Sequence, residues 1–220
     1  MKALHVITLL LGALCASTVL AQTPDGAMLA HQGNGHGVAP CLACHGADGG
    51  GQATAGFPRL AGLSQDYLRK QLDDFANGSR TNATMQPIAT GLSDAERDAV
   101  AAYYSKLPVP SAQSANAPTG DDAQLARTLA MRGHWSKGLP ACEQCHGPGG
   151  VGVGDHFPAL AAQSSVYLSN ELRAWQQGSR HNDPLQLMQT VASKLSDEDI
   201  NAIGAWYAAQ PAALPKEGQP

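Results

Sequence analysis

The sequence predicts an all-α protein of two similar domains in tandem, and three observations carry that expectation. The two halves of the chain repeat one another at an offset of about 100 residues. Each half carries helix start and stop signals around apolar residues spaced three or four apart. No convincing run of alternating apolar and polar residues argues for a strand in either half.

The repeat is dense. Cys41-Leu-Ala-Cys44-His45-Gly46 matches Cys142-Glu-Gln-Cys145-His146-Gly147, and Phe57-Pro58-Arg59-Leu60 matches Phe157-Pro158-Ala159-Leu160. Tyr67-Leu68 matches Tyr167-Leu168, and Gly78-Ser79-Arg80 matches Gly178-Ser179-Arg180. After a short insertion in the second half, Met85 matches Met188, and Leu92-Ser93-Asp94 matches Leu195-Ser196-Asp197.

The helices follow in order. Met28 and Met131 are expected on the first helix of each half, as core filler. Ser64 can cap a helix whose Leu68, Leu72 and Phe75 share a face, and Gly78 closes it. Leu168, Leu172 and Trp175 repeat that face before Gly178. Ser93 with Glu96, and Ser196 with Asp199, form capping boxes ahead of the last helix of each half. Gly33 and Gly133 are candidates for a close approach of the first helix to the last, near Tyr103 and Trp206.

The chain has 220 residues, 43% hydrophobic, 15% charged and only 5% aromatic. A half of this size with so few large side chains has a thin core of its own. Residues 1–21 read as a cleaved signal peptide: Lys2, an apolar stretch from Val6 to Leu14, and Val19-Leu20-Ala21. Cys15 follows the bulky Leu14, which argues against a lipid anchor there. Periplasmic export is the expectation. Residues 22–108 form the first domain, 109–122 a Pro/Ser/Ala-rich linker, 123–212 the second domain and 213–220 a tail. Without residues 1–21 the chain keeps 13 basic against 18 acidic side chains, a formal charge of −5. That balance excludes a nucleic-acid partner, which needs clustered positive charge. No transmembrane segment is expected in the mature chain; peripheral association with a membrane stays open.

The remaining four cysteines all lie in two C-x-x-C-H motifs. In c-type haem attachment, two thiols at this spacing bond the porphyrin and the adjacent His reaches the iron. A thioredoxin-like pair would leave the repeated His unexplained, and a zinc site would need both motifs to converge on one ion. Paired disulfides are the remaining alternative. The expected cofactors are two covalently bound haem c: Cys41, Cys44, Cys142 and Cys145 as attachment points, His45 and His146 as iron ligands. For the opposite axial position Met85 and Met188 are preferred over simple packing roles, from irregular stretches ahead of a helix cap. His181 competes in the second half, but Thr81 stands at its place in the first. His31, His36, His134 and His156 are expected at the surface or in loops.

With these motifs in hand, the sequence resembles the cytochrome c4 family of dihaem class I cytochromes c over about residues 24–212. The paired C-x-x-C-H-G, the F-P-x-L-A stretches at Phe57 and Phe157, the Gly-Ser-Arg turns and Met85-x-x-Ile88-Ala89 beside Met188-x-x-Val191-Ala192 carry the likeness. The resemblance implies two class I domains related by a pseudo-twofold axis, with axial pairs His45/Met85 and His146/Met188. It also implies that the carbonyls of Pro58 and Pro158 accept a hydrogen bond from the ligand His. Arg59, opposite Ala159, is either a propionate partner or an ordinary surface arginine. The expected function is that of a periplasmic carrier of single electrons between respiratory complexes, from a quinol-oxidising complex towards a terminal oxidase, and not an enzyme. The alternative is the dihaem cytochrome subunit of a periplasmic dehydrogenase such as a sulfide-oxidising flavocytochrome c.

Overall fold

The computed structural model describes residues 23–111 and 117–213. The expected signal segment with its cleavage point, the middle of the linker and the tail beyond residue 213 lie outside the described residues. Those that remain are helical, and the only β-pairing among them is four isolated bridges. The all-α expectation holds.

The first half runs α1 (Gly26–Gln32), α2 (Leu42–His45), α3 (Gln65–Asn77), α4 (Met85–Thr90) and α5 (Asp94–Lys106). The second repeats it as α6 (Gly120–Met131), α7 (Glu143–His146), α8 (Ser165–Gln177), α9 (Leu187–Ala192) and α10 (Asp197–Ala209). Helix α6 begins at Gly120, inside the stretch read as linker, with Asp121 and Asp122 in its first turn. Acidic side chains there favour the positive end of a helix, so the start is electrostatically sound.

Start signals act as the sequence implied. Ser64 and Ser164 accept hydrogen bonds from the amides of Tyr67 and Tyr167. Ser93 with Glu96, and Ser196 with Asp199, form reciprocal capping boxes. In each half the first, third and last long helices pack together, α5 against α1 and α3, α10 against α6 and α8. One core gathers Leu29, Leu68, Val100 and Tyr104; the other gathers Leu129, Leu168, Ile200 and Tyr207. Each fully buried aliphatic side chain of this kind contributes about 1.5–3 kcal/mol.

Two expectations are corrected. Met28 and Met131 do lie on the first helices, but both are exposed and fill no core. Gly33 does not let the first helix approach the last. It sits at the C-terminus of α1 with φ +74, where an added Cβ would overlap the Val38 carbonyl. The close approach belongs to Gly26, against Ala99 and Tyr103 of α5.

The halves meet along a mirrored seam. Arg80 and Arg180 form an antiparallel bridge, Thr81 N–H donates to Ser179 O (2.9 Å), and His181 N–H donates to Ser79 O (3.1 Å). Arg80 Nη2 donates to Tyr167 Oη (2.9 Å), and Arg180 Nη2 to Tyr67 Oη (3.4 Å). Each guanidinium also covers an aromatic ring of its own half, Phe75 at 4.4 Å and Trp175 at 4.6 Å. This exchange of equivalent contacts is the pseudo-twofold relation between two tandem domains.

Candidate haem-binding sites

Each site is built on a single helical turn. Cys41 precedes α2, His45 N–H donates back to Cys41 O (2.9 Å), and Gly46 N–H closes the turn on Leu42 O (3.0 Å). Cys142 and His146 repeat this in α7, at 3.0 Å. Two thiols and an imidazole are thereby held within about one turn of backbone.

The imidazoles are buried, each 7% exposed. His45 Nδ1 lies 2.9 Å from Pro58 O, and His146 Nδ1 lies 2.8 Å from Pro158 O. A carbonyl oxygen only accepts, so Nδ1 carries the proton and a neutral ring keeps its lone pair on Nε2. Burial pulls both imidazole pKa values below the usual range, against the opposing pull of the proline carbonyls. Arg180 adds to the depression at His146. Phe57 and Phe157 stand edge-on to these rings, both at 6.3 Å between centroids.

Met85 and Met188, expected in irregular stretches, instead open short helices: Met85 is the first residue of α4 and Met188 the second of α9. Both are half-buried. Their positions are set by neighbours that sequence reasoning passed over. Asn82 Oδ1 accepts from the amide of Met85 (2.9 Å), and Asp183 Oδ2 accepts from the amide of Met188 (2.5 Å). An Asx residue a few positions ahead of a helix was the legible signal. Ile88 of α4 packs on the same core as Cys41, and Val191 of α9 on the same core as Cys142. His181 is exposed, with Nδ1 donating to Gly178 O (3.2 Å). His31, His36, His134 and His156 are also exposed.

Arg59 is not a surface arginine. It is 2% exposed and clamped between the halves: its N–H donates to Gln163 Oε1 (2.9 Å), Gln163 Nε2 donates to Arg59 O (3.0 Å), and Nη2 donates to Ala161 O (3.1 Å). Nη1 donates to Ala61 O, and Nε is buried without a partner. Burial lowers its pKa to about 10, which still leaves the guanidinium charged at neutral pH.

These residues fit haem c. All four motif cysteines are free thiols, and burial raises the pKa of Cys41 and takes that of Cys142 up to about 11. Among the described residues, no cluster of three or more His, Cys, Asp or Glu side chains converges as a metal cage, so the motifs do not share a zinc ion. The hydroxyls of Tyr104 and Tyr207, next to the Cys41 and Cys142 thiols, and the Arg59 Nε are buried donors with no paired acceptor. An apolar ring system with acidic side arms suits that donor set.

Comparison with known proteins agrees. Residues 32–108 match the family model for cytochrome c, and residues 126–206 match that for cbb3-type cytochrome c oxidase subunit III. The chain is 53% identical over 174 residues to the thiosulfate dehydrogenase electron acceptor of Thiomonas intermedia, covering 79% of this chain and 80% of that protein. It is similar to a solved thiosulfate dehydrogenase, TsdBA, from Marichromatium purpuratum, at 43% identity and TM-score 0.79. That match covers 85% of this chain but only 40% of the longer one. Reduced cytochrome c4 from Pseudomonas stutzeri matches at 35% identity and TM-score 0.71, covering 79% of this chain and 94% of that one. With two covalently bound haem c groups on a duplicated helical fold, this chain belongs to the cytochrome c family as a dihaem class I electron-transfer cytochrome.

Proposed function

We propose that this cytochrome takes single electrons from a thiosulfate-oxidising dehydrogenase and passes them to a respiratory acceptor. The observation that carries the electron-carrier reading is the mirrored pair of buried imidazoles, each locked by a proline carbonyl, on two halves joined through one seam. The donor assignment is supported by the naming of a 53% identical relative as a thiosulfate dehydrogenase electron acceptor. A dehydrogenase-linked role is thus favoured over the route from a quinol-oxidising complex, and a flavocytochrome subunit has no comparable support.

In this reading Cys41, Cys44, Cys142 and Cys145 bind the two groups covalently, and haem c supplies one-electron exchange at its iron. His45 and His146 present Nε2 lone pairs, and Pro58 and Pro158 fix the tautomer and the ring plane. Met85 and Met188, whose amides are held by Asn82 and Asp183, would supply the second protein ligand to each iron. With both ligands in place neither iron would keep an open position for substrate, which supports a carrier rather than a catalyst. The signal-like residues 1–21 support a periplasmic location for the mature protein; no helix among the described residues is long and apolar enough to cross a membrane.

The test is rapid mixing of the oxidised cytochrome with thiosulfate-reduced dehydrogenase, followed at the haem absorption bands. Fast reduction by the enzyme, with none by thiosulfate alone, is the expected result. Reduction no faster than that of an unrelated cytochrome c refutes the donor; turnover of thiosulfate by the cytochrome alone refutes the carrier role.

A further inference from the structure

Arg59 is a buried cation for which the polypeptide provides no anion. Its guanidinium meets backbone only: Nη1 donates to Ala61 O, and Nη2 donates to Ala161 O (3.1 Å). A carbonyl carries no net charge, and among the described residues no carboxylate forms an ion pair with Arg59. Burial lowers its pKa, and no acid opposes that pull. The acids of the neighbouring loops are turned to other partners, Asp48 to the Gly50 amide (2.9 Å) and Asp155 to the Ser64 hydroxyl (2.7 Å). The titratable groups on the elements bonded to Pro58, Gly62 and Ala162, which are His45, Tyr104 and Tyr207, supply no negative charge at neutral pH.

A lone buried charge is among the costliest groups a fold can carry. Arginine has N–H donors and no acceptor, and here Nε is buried without a partner. The place of the guanidinium identifies the missing anion. Ala61 and Ala161 are equivalents in the repeat, so the group lies across the pseudo-twofold relation between the two sites. Arg59 directly follows Pro58, whose carbonyl holds the His45 ring, and precedes Leu60, which packs with Cys41 on the first core. Its main chain is paired twice with Gln163, in the stretch that follows Pro158 (2.9 and 3.0 Å). The backbone around Arg59 thus belongs to both haem sites, and with 2% of the residue exposed the bulk solvent supplies no exchange of counter-ions. Haem brings carboxylates of its own, the propionates, and a carboxylate meets a guanidinium in the strong, charge-assisted kind of hydrogen bond.

We propose that the Arg59 guanidinium is the counter-cation of a haem propionate at the junction of the two domains, with its unpaired Nε–H as donor. The carbonyls of Ala61 and Ala161 aim the group, and Gln163 locks its main chain, so both domains close on one charge. The contacts favour neither haem. Held ionised by the guanidinium, the propionate takes up no proton when the iron is reduced, and the two opposite charges cancel beside it. The proposal rests on the two haem groups alone and is independent of the donor.

The test is an optical redox titration of the full chain carrying both haems, from pH 5 to pH 9, in the natural protein and in R59Q. Without its cation the buried propionate has a raised pKa. At pH 9 it stays ionised, its negative charge favours the ferric state, and the reduction equilibrium of at least one haem should fall at least threefold, about 28 mV at 59 mV per tenfold for one electron. Towards pH 5 the carboxyl takes up a proton, and the difference from the natural protein should close. A merely structural clamp on two carbonyls would weaken folding without a difference that depends on pH. Equal potentials throughout, or an offset that is the same at every pH, overturns the proposal. Should R59Q fail to mature with haem, a crystal structure of the natural haem-loaded chain decides: a propionate oxygen within hydrogen-bond distance of Arg59 Nε supports the assignment, and a water, a free anion or no acceptor there overturns it.

Discussion

Replacing Gly26 with Ala tests whether the crossing of α1 over α5 is as tight as the structure draws it. An ideal Cβ at Gly26 would overlap Ala99 O, and would stand 2.7 Å from Ala99 C and 2.8 Å from Tyr103 Cβ. The obstacle is mainly backbone, which cannot rotate away as a side-chain tip can, so α1 must retreat or the crossing must open. Overpacking of this kind costs about 1–3 kcal/mol. The gain in helix propensity from Gly to Ala, at most about 1 kcal/mol, is reduced at the first helical position. The net expectation is a loss of about 1–2 kcal/mol. For a domain this size each kcal/mol lowers Tm by roughly 4–8 °C. The site shares in the damage, because Leu29 of α1 belongs to the core that holds Tyr104 and against which Cys41 packs. Thermal unfolding of the haem-loaded chain, followed by circular dichroism, measures it. The repeat-equivalent position in α6 is Ala126, fully buried without strain, so the penalty is specific to the first domain. An unchanged or raised Tm for G26A would refute the argument from the crossing.

Two further predictions address the site and the seam. Met85→Ala and Met188→Ala should each remove about half of the near-infrared Met–Fe(III) absorption and lower the potential of one haem only, because thioether ligation raises it; full absorption in either variant would assign its ligand elsewhere. The Glu171 carboxyl has a folded pKa below its ordinary value of 4.5, since the pull of Arg80 and Arg180 exceeds the effect of burial. A depressed acid contributes stability that is present above the unfolded pKa and lost as pH falls through the folded one. The stability gap between the natural chain and Glu171→Gln, read from urea midpoints, should therefore shrink as pH falls below about 4.5; a gap constant down to pH 3 would show that Glu171 acts without its charge.

The sequence by itself determined the helices, the duplication and the anchors. Capping boxes, the Ser64 and Ser164 caps and the C-x-x-C-H turns are local devices, decided within four residues of backbone, and each stands where the pattern put it. Whatever depended on two distant segments meeting was decided only by the tertiary structure. Arg59 reads as a surface residue until Gln163 and Ala161 close over it, and Gly26 rather than Gly33 proves to be the contact glycine because helix crossings are set by packing, not by residue type. The shared Glu171 was equally hidden. Its importance lies in two arginines about a hundred residues apart converging on one oxygen, and one-dimensional periodicity holds no record of which buried charge finds which partner.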